Sequence, residues 1–307
     1  MLLMPKGESL PQPPEILIFF HIPKTGGQTL AGVLRSCFRN KYFDCSMDPP
    51  DTALNFVSTA RVTSRFHELS VEKQRDIRCV AGEHVHMDVA TIFGRPCKFV
   101  TLLREPVDRV ISNFYFFRKR PQMPCYHFIK DLTLEQYLDS GIGIDQDNQQ
   151  VRMLSGCTEL DAPWDSEGGP ISTRPVERRH LEMAKRNIEE RFIAAAPLEQ
   201  ITELVWFLRH LYKWPVYRLF FPVRNVNPDR PDRDSVSTST RKRLEELNHY
   251  DAKLYEWVSA RFRSQIAPLE PHFSREVKIF GTLNNFAQPI MRIGFIRVAA
   301  KRLRNRF

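Results

Sequence analysis

Short apolar runs separated by turn residues set the pattern of this chain. Residues 15–20 (EILIFF) and 97–103 (CKFVTLL) have the length and composition of buried strands, and 78–81 and 191–196 are weaker runs of the same kind. Continuous rather than alternating hydrophobicity is typical of strands covered on both faces of a parallel sheet. A further strand is predicted at 216–223.

Helical periodicity follows most of these runs. Residues 28–39 carry apolar side chains along one helical face, and another helix follows 97–103, with Pro106 in its first turn. The order strand, loop, helix repeats, which predicts an α/β chain with a helical second half. Residues 40–65 give no clear pattern. Further helices are predicted at 133–140, 146–154, 176–190, 199–212, 238–248 and 251–265, and exposed loops at 158–175 and 225–237.

Length and charge suggest how the chain is organised. With 307 residues, of which 42% are hydrophobic, it is long enough to bury a substantial core, predicted at 15–270 after a lead-in at 1–14. Residues 271–307 are interpreted as an extension ending in a basic amphipathic helix, which packs on the core or, as a second hypothesis, binds an anionic glycan or acidic membrane. The net charge of +9 favours anionic partners. No nucleic-acid motif accompanies it, so no nucleic acid is expected.

Cysteine usage and the N-terminus bear on the compartment. The six cysteines are scattered without a CxxC pair, which predicts reduced thiols and neither a zinc site nor a redox motif. The first residues lack the pattern of a signal peptide, and no apolar run reaches the ~18 residues of a membrane span. A cytoplasmic location is therefore expected, with a Golgi or membrane-associated one as the alternative if an anchor lies outside this sequence.

A glycine-containing loop follows the first predicted strand. Residues 21–29 (HIPKTGGQT) lie between a strand and a helix, where backbone N–H groups and the positive helix end converge on an anion. A Walker A loop places its lysine after the second glycine, whereas Lys24 precedes both glycines, which argues against an ordinary ATPase or kinase. The candidate anion-binding residues are Lys24, Thr25, Gly26, Gly27, Gln28 and Thr29.

A second anion-binding element begins where the strand at 97–103 ends. Residues 104–115 (REPVDRVISNFY) start in the crevice at strand C-termini where α/β proteins commonly bind ligands. Arg104, at the strand end, and Ser112, two helical turns later, are predicted to converge on one phosphate.

A general base is sought between these two elements. Residues 82–88 (GEHVHMD) follow the second predicted strand, and a histidine with a near-neutral pKa suits proton removal from a hydroxyl. His84, Glu83 and His86 are the candidates. The HxH spacing is compatible with a metal, but no third ligand is evident, so no metal is expected.

Together these motifs resemble the carbohydrate sulfotransferases related to heparan sulfate 2-O-sulfotransferase. FHIPKTGGQTL resembles their 5′-phosphosulfate loop, residues 104–115 their 3′-phosphate motif, and GEHVHMDVATIFGRP the stretch that holds the base; the resemblance covers roughly residues 15–265. It implies a P-loop-like three-layer sulfotransferase fold, with a central parallel sheet flanked by helices. By the same resemblance Lys24 contacts the phosphosulfate, Arg104 and Ser112 bind the 3′-phosphate, and His84 is the base.

The function expected from this resemblance is sulfuryl transfer. The donor is 3′-phosphoadenosine 5′-phosphosulfate (PAPS), and the acceptor is a hydroxyl, expected on a carbohydrate. In-line displacement with a histidine base needs no metal in principle, because a sulfonate carries less charge than a transferred phosphoryl group. The alternatives are a P-loop-related nucleotide kinase or NTPase, and a non-catalytic protein that binds an anionic glycan or a membrane. The oligomeric state stays open.

Overall fold

The computed structural model describes residues 13–46, 59–82, 85–121, 126–140, 146–160, 174–222 and 236–304, without the side chains of 158, 290 and 292–304. Within these residues a five-stranded sheet has the order β2-β3-β1-β4-β5, and every neighbouring pair is parallel. The strands are β1 (Ile16–Phe19), β2 (Tyr42–Asp44), β3 (Cys79–Ala81), β4 (Cys97–Leu103) and β5 (Phe192–Pro197).

Helices connect these strands and make up most of the second half of the chain. The helices are α1 (Gly27–Phe38), α2 (Thr59–His67), α3 (Val71–Asp76), α4 (Pro106–Phe117), α5 (Tyr126–Ile129), α6 (Leu134–Ser140), α7 (Gln149–Ser155), α8 (Arg178–Arg191), α9 (Ile201–Tyr212), α10 (Thr238–Leu247), α11 (His249–Ile266) and α12 (His272–Arg304). Where bounds were predicted for helices between α6 and α11, the observed ones agree to within a few residues at each end. The sequence pattern did not reveal α2, α3, α5 or β2, and α12 begins well before the predicted C-terminal helix.

The strand predicted at 216–223 is wrong. Val216–Arg218 form a short 3₁₀ helix, and the described residues that follow pair with no strand. The backbone of Phe221 is satisfied by α12 instead: its N–H donates to the Asn284 side chain at 3.0 Å, and its carbonyl accepts from Gln288 Nε2 at 3.0 Å. The run is apolar because it is buried under a helix, and burial alone does not make a strand. Of the predicted loops, residues 161–173 and 225–235 lie outside the described residues.

Side chains of β1 alternate between two cores. Ile16 and Ile18 join a cluster that includes α2, α8 and α11, whereas Leu17 and Phe19 join a cluster that includes α1, α9 and α12. Because successive residues of a strand point to opposite faces, a strand that is apolar at every position needs helices on both sides. This arrangement confirms the predicted three-layer fold with a parallel sheet between helices.

The strand order locates a ligand crevice. After β1 the chain continues to β2 at one edge of the sheet, and after β4 it continues to β5 at the other edge. The connections from the neighbouring strands β1 and β4 therefore lead in opposite directions. Open α/β sheets bind ligands at such a switch point, outside the carboxyl ends of the strands. The two predicted anion-binding elements follow β1 and β4.

The first part of α12 belongs to the core. Phe273 and Phe280 are buried against α9, and the Glu276 carboxylate accepts from Trp206 Nε1 at 2.9 Å and lies 3.0 Å from His210 Nε2. The basic end of the predicted extension lies beyond the described side chains. Among the described helices, none is both long and apolar enough to cross a membrane.

Candidate functional site

The loop after β1 turns sharply into α1. Lys24 and Gly26 both have positive φ, of 69° and 82°. Gly26 caps α1 without a side chain, and the first turn of α1 contains no acidic residue. The Thr29 N–H donates to the Gly26 carbonyl at 3.0 Å. The amides of Gly27 and Gln28 precede this first bond and lie at the positive end of the helix dipole, so they favour an anion. Gln28 is exposed on this turn, whereas Thr29 is buried.

Both glycines of the loop have close neighbours. A Cβ on Gly26 would meet Leu198 Cδ1 at 2.4 Å, and a Cβ on Gly27 would meet the His21 ring at 1.9 Å. That ring is fixed by stacking on Phe19, with centroids 5.4 Å apart. The packing of the loop therefore requires glycine at both positions.

Lys24 and Thr25 have different surroundings. The Thr25 hydroxyl is fully buried and donates to the carbonyl of Ile22 at 2.8 Å, which ties the loop to itself. The Lys24 ammonium lies 3.7 Å from the ring centroid of Phe116 on α4, a cation–π contact. The lysine side chain therefore reaches across the crevice toward the second anion-binding element.

Arg104 joins the two elements directly. Its Nη1 donates to the backbone carbonyl of Lys24 at 3.1 Å, and its Nη2 lies 3.7 Å from the Asp108 carboxylate. The guanidinium is half-buried and fixed from two sides. The predicted loop at 21–29 and the predicted element at 104–115 thus form one site at the carboxyl ends of β1 and β4, with Ser112 half-buried on α4.

Gln150 of α7 holds the backbone of Arg104. Its Oε1 accepts the Arg104 N–H at 2.9 Å, and its Nε2 donates to the Arg104 carbonyl at 2.9 Å. The side chain is fully buried. The Gln150 amide thus bonds both backbone groups of the residue that follows β4, as a neighbouring strand would. It fixes the backbone position of Arg104 at the end of the sheet.

The helices α7 and α11 cap each other. The Asp251 carboxylate accepts from the N–H groups of Gln150 at 3.0 Å and Val151 at 2.8 Å. In return, the Asn148 side-chain oxygen accepts from the N–H groups of Tyr250 and Asp251, each at 2.9 Å. These caps satisfy the free amides of both helices. They fix α7, and hence Gln150, relative to α11.

Arg109 of α4 contacts α7 from the interior of the protein. Its guanidinium is fully buried, and Nη1 donates to Gln149 Oε1. Burial raises the pKa of the Asp251 carboxyl above its ordinary value, while the Arg109 charge and the capping N–H groups act in the opposite direction. Arg109 therefore belongs to the interior support of the site.

The N-terminus of α4 is closed to a ligand, in contrast to that of α1. The Glu105 carboxylate accepts from the N–H groups of Val107 at 3.2 Å and Asp108 at 2.8 Å. An anion bound beside Arg104 must therefore rely on side chains rather than on this helix end.

Of the three candidates for the general base, only His86 lies among the described residues. Glu83 and His84 lie outside the described residues. His86 caps a short 3₁₀ helix, with its Nδ1 3.3 Å from the N–H of Asp88 and 3.2 Å from the Asp88 carboxylate. A Cβ on Gly82 would meet Ser46 N at 2.6 Å, so the ends of β2 and β3 lie in direct contact just before the base segment. The assignment of His84 stays a prediction.

A cluster of three potential metal ligands lies elsewhere, at Cys157, Glu159 and His180. His180 Nδ1 accepts the N–H of Glu177 at 2.9 Å, so its proton is on Nε2, 3.1 Å from Glu159. Glu159 also pairs with Arg179 at 3.0 Å. A metal would have to displace that proton beside a cation, so the cluster is better described as an ion-pair network.

Fold and site together define an α/β protein with a parallel sheet between helices, in which the loops after β1 and β4 meet beside Lys24 and Arg104. A model of the galactose-3-O-sulfotransferase family matches residues 3–292, and the chain belongs to this family. The predicted membership of the carbohydrate sulfotransferases is confirmed, and with it the prediction that the chain is a sulfotransferase.

Individual relatives agree with this assignment. The chain is 26% identical over 289 residues to heparan-sulfate 6-O-sulfotransferase 1-B of Danio rerio, covering 82% of this chain and 67% of the relative. It is 25% identical over 288 residues to heparan-sulfate 6-O-sulfotransferase 1 of Homo sapiens, covering 82% and 66%. The chain thus spans about two thirds of the length of these relatives.

Two solved structures show a weaker likeness. Mouse sulfotransferase SULT7A1 complexed with PAP gives a TM-score of 0.38 at 13% identity, covering 93% of this chain and 89% of that one. The sulfotransferase domain from the curacin biosynthetic pathway gives 0.33 at 12% identity, covering 84% and 98%.

The predicted cytoplasmic location is wrong. The galactose-3-O-sulfotransferase family and the heparan-sulfate sulfotransferases are Golgi-resident enzymes. The chain belongs to the first group and matches the second over most of its length. Scattered cysteines were a poor guide to the compartment: Cys37, Cys45 and Cys79 are buried free thiols, and a free cysteine is common in a protein core as a small apolar side chain.

Proposed function

We propose that this protein transfers a sulfuryl group from PAPS to a hydroxyl group of a glycan. The observation that carries this proposal is the hydrogen bond of 3.1 Å from the Arg104 guanidinium to the Lys24 carbonyl. It joins a lysine-containing loop at an open helix N-terminus to an arginine at the neighbouring strand end. PAPS carries negative charge at its 5′-phosphosulfate and at its 3′-phosphate. These two anionic groups match the two cations of the crevice, the Lys24 ammonium and the Arg104 guanidinium.

The residues of the crevice suit the two ends of PAPS. The 5′-phosphosulfate would lie at the first turn of α1, held by the amides of Gly27 and Gln28 and by the Lys24 ammonium. The 3′-phosphate would lie on Arg104 and Ser112. Since Glu105 occupies the amides of α4, the arginine is the main charge available to that phosphate.

When bound, PAPS supplies an activated sulfuryl group, and the protein supplies orientation, proton removal and charge stabilisation. His84 is the proposed base that accepts the proton of the acceptor hydroxyl, with Glu83 and His86 as alternates. Lys24 and the α1 amides stabilise the charge that develops on the departing oxygen. We expect no metal requirement. The acceptor is proposed to be a glycan because the family is named for galactose and the relatives are named for heparan sulfate.

Calorimetric titration tests the donor. The product nucleotide 3′-phosphoadenosine 5′-phosphate (PAP) is titrated without magnesium, beside ATP with magnesium. We expect tight binding of PAP that is strongly weakened by Arg104→Ala and unchanged by Arg95→Ala, a matched arginine at the opposite end of β4. Preference for ATP with magnesium would favour a kinase or NTPase. Glycan binding without PAP binding would favour a non-catalytic protein.

A further inference from the structure

A groove of about 550 Å³ lies between α8 and α11, outside the donor site. The α8–α11 groove is defined by Arg178, Glu182 and Lys185 on one side and by Tyr250, Lys253 and Trp257 on the other, with Leu181 and Glu256 completing it. Its volume is within the range of small-ligand sites.

Each wall of the groove is one face of a helix. Positions 178, 182 and 185 share a face of α8, and positions 250, 253 and 257 share a face of α11. Tyr250 and Trp257 pack against the core and are only partly buried, so their rings are both rigid and accessible. Such rings suit the apolar face of a sugar.

The cations of the groove are incompletely neutralised. Lys185 lies 3.4 Å from Glu182, but in the described part of the chain no carboxylate lies within ion-pair distance of Arg178 or Lys253. Both side chains are exposed, and the Lys253 ammonium lies 5.5 Å from the Tyr250 ring centroid. A cation beside an accessible aromatic ring suits a sugar that carries a carboxylate or sulfate.

Hydrogen bonds link the α8–α11 groove to the proposed donor site. The N–H of Tyr250 donates to Asn148, and the next residue, Asp251, caps α7. From α7, Gln150 holds the backbone of Arg104. A continuous series of hydrogen bonds thus fixes the end of the groove relative to the crevice where transfer would occur.

We propose that the α8–α11 groove binds an anionic sugar of the acceptor glycan, other than the sugar that receives the sulfuryl group. Tyr250 and Trp257 contact the sugar ring, and Arg178 and Lys253 bind its carboxylate or sulfate. The carboxylates of Glu182 and Glu256 accept hydrogen bonds from its hydroxyl groups. This inference rests on the proposed function, since it assigns a second contact to the same acceptor.

The test compares a long and a short acceptor. The double variant Arg178→Ala/Lys253→Ala is assayed with a uronate- and sulfate-bearing decasaccharide and with the corresponding disaccharide. We expect the KM for the decasaccharide to rise roughly tenfold, as for the loss of about 1.4 kcal/mol of binding. The kcat with both acceptors, the KM for the disaccharide and the Kd for PAP should not change, because neither residue lies at the donor site.

A charge-matched control removes one arginine and one lysine elsewhere. Lys242→Ala/Arg275→Ala changes exposed positions on α10 and α12 by the same net charge and should leave the KM for the decasaccharide unchanged. An equal rise with both acceptors, an equal rise in the control, or no rise at all would overturn the inference.

Direct titration separates this inference from the proposed function. The decasaccharide is titrated into the wild-type protein and the groove variant without any donor. Binding that is lost in the variant supports the groove even if no sulfuryl transfer is detected. Normal turnover with wild-type decasaccharide affinity in the variant refutes the groove and leaves the proposed function intact.

Discussion

Replacing Gln150 by leucine tests whether the support behind Arg104 sets its affinity for the donor. The substitution keeps a buried side chain of similar size but removes both bonds to the Arg104 backbone, each of 2.9 Å. An N–H and a carbonyl then lose their partners while staying in place. A lost hydrogen bond of this kind costs about 1–3 kcal/mol.

The size of the effect follows from these contacts. Because the two bonds to the Arg104 backbone are only partly buried, water can recover part of the loss, so we expect the free energy of unfolding to fall by about 2–4 kcal/mol. For a chain of this length, that lowers Tm by roughly 3–6 °C. If Arg104 loses its position, its charge-assisted bond to phosphate, worth about 1.5–3 kcal/mol, is also weakened. The Kd for PAP should then rise about tenfold to a hundredfold.

The assay combines thermal unfolding with calorimetric titration of PAP well below Tm. Gln265→Leu is the matched control, because Gln265 Nε2 donates to the Ile193 carbonyl at 2.6 Å near the start of β5, away from the crevice. It should lower Tm without changing the Kd for PAP. A wild-type Kd in Gln150→Leu would refute the view that this glutamine positions Arg104.

Further predictions concern the base, the loop, α12 and the buried thiols. His84→Ala should abolish most turnover and leave the Kd for PAP nearly unchanged; full activity would transfer the role to Glu83 or His86. Gly27→Ala should weaken PAP binding strongly in calorimetry because the added methyl meets the His21 ring, and unchanged affinity would show that the loop adapts. Burial acts to raise the pKa of Glu276, but hydrogen bonds from Trp206 and His210 and the charges of His210 and Arg209 together lower it from 4.5. The stability that Glu276 contributes is therefore present above pH 4.5 and is lost as pH falls through the lowered pKa. The Tm difference between wild type and Glu276→Gln should therefore shrink in acid, and a constant difference would contradict this. Burial raises the pKa of Cys45 to about 12, so iodoacetamide at mildly alkaline pH should not label it in the folded protein, as peptide mass spectrometry would show.

Local patterns were sufficient where the chemistry lies within one stretch of chain. The loop at 21–29 combines a strand end, a lysine, two glycines and a helix start, and each of these can be recognised from neighbouring residues. The strand order could not be read in this way. The structure shows that β1 and β4 are neighbours, and this is what brings Lys24 and Arg104 together.

Apolar composition predicted burial better than it predicted strands. The continuous runs of β1 and β4 are strands, whereas the run at 216–223 is buried under α12 with its backbone bonded to side chains. These cases cannot be told apart locally, because both satisfy the same need to remove apolar side chains from water.

Residues that are close along the chain were enough to predict the fold class, the two candidate anion-binding elements and the family, because each of these depends on local motifs. The contacts that support those elements could be found only in the folded structure. Gln150 and Asp251 lie far along the chain from Arg104, and they act on it through hydrogen bonds that exist only after α7 and α11 have packed beside the sheet. The same packing of α8 against α11 creates the proposed glycan groove, whose two walls come from separate helices.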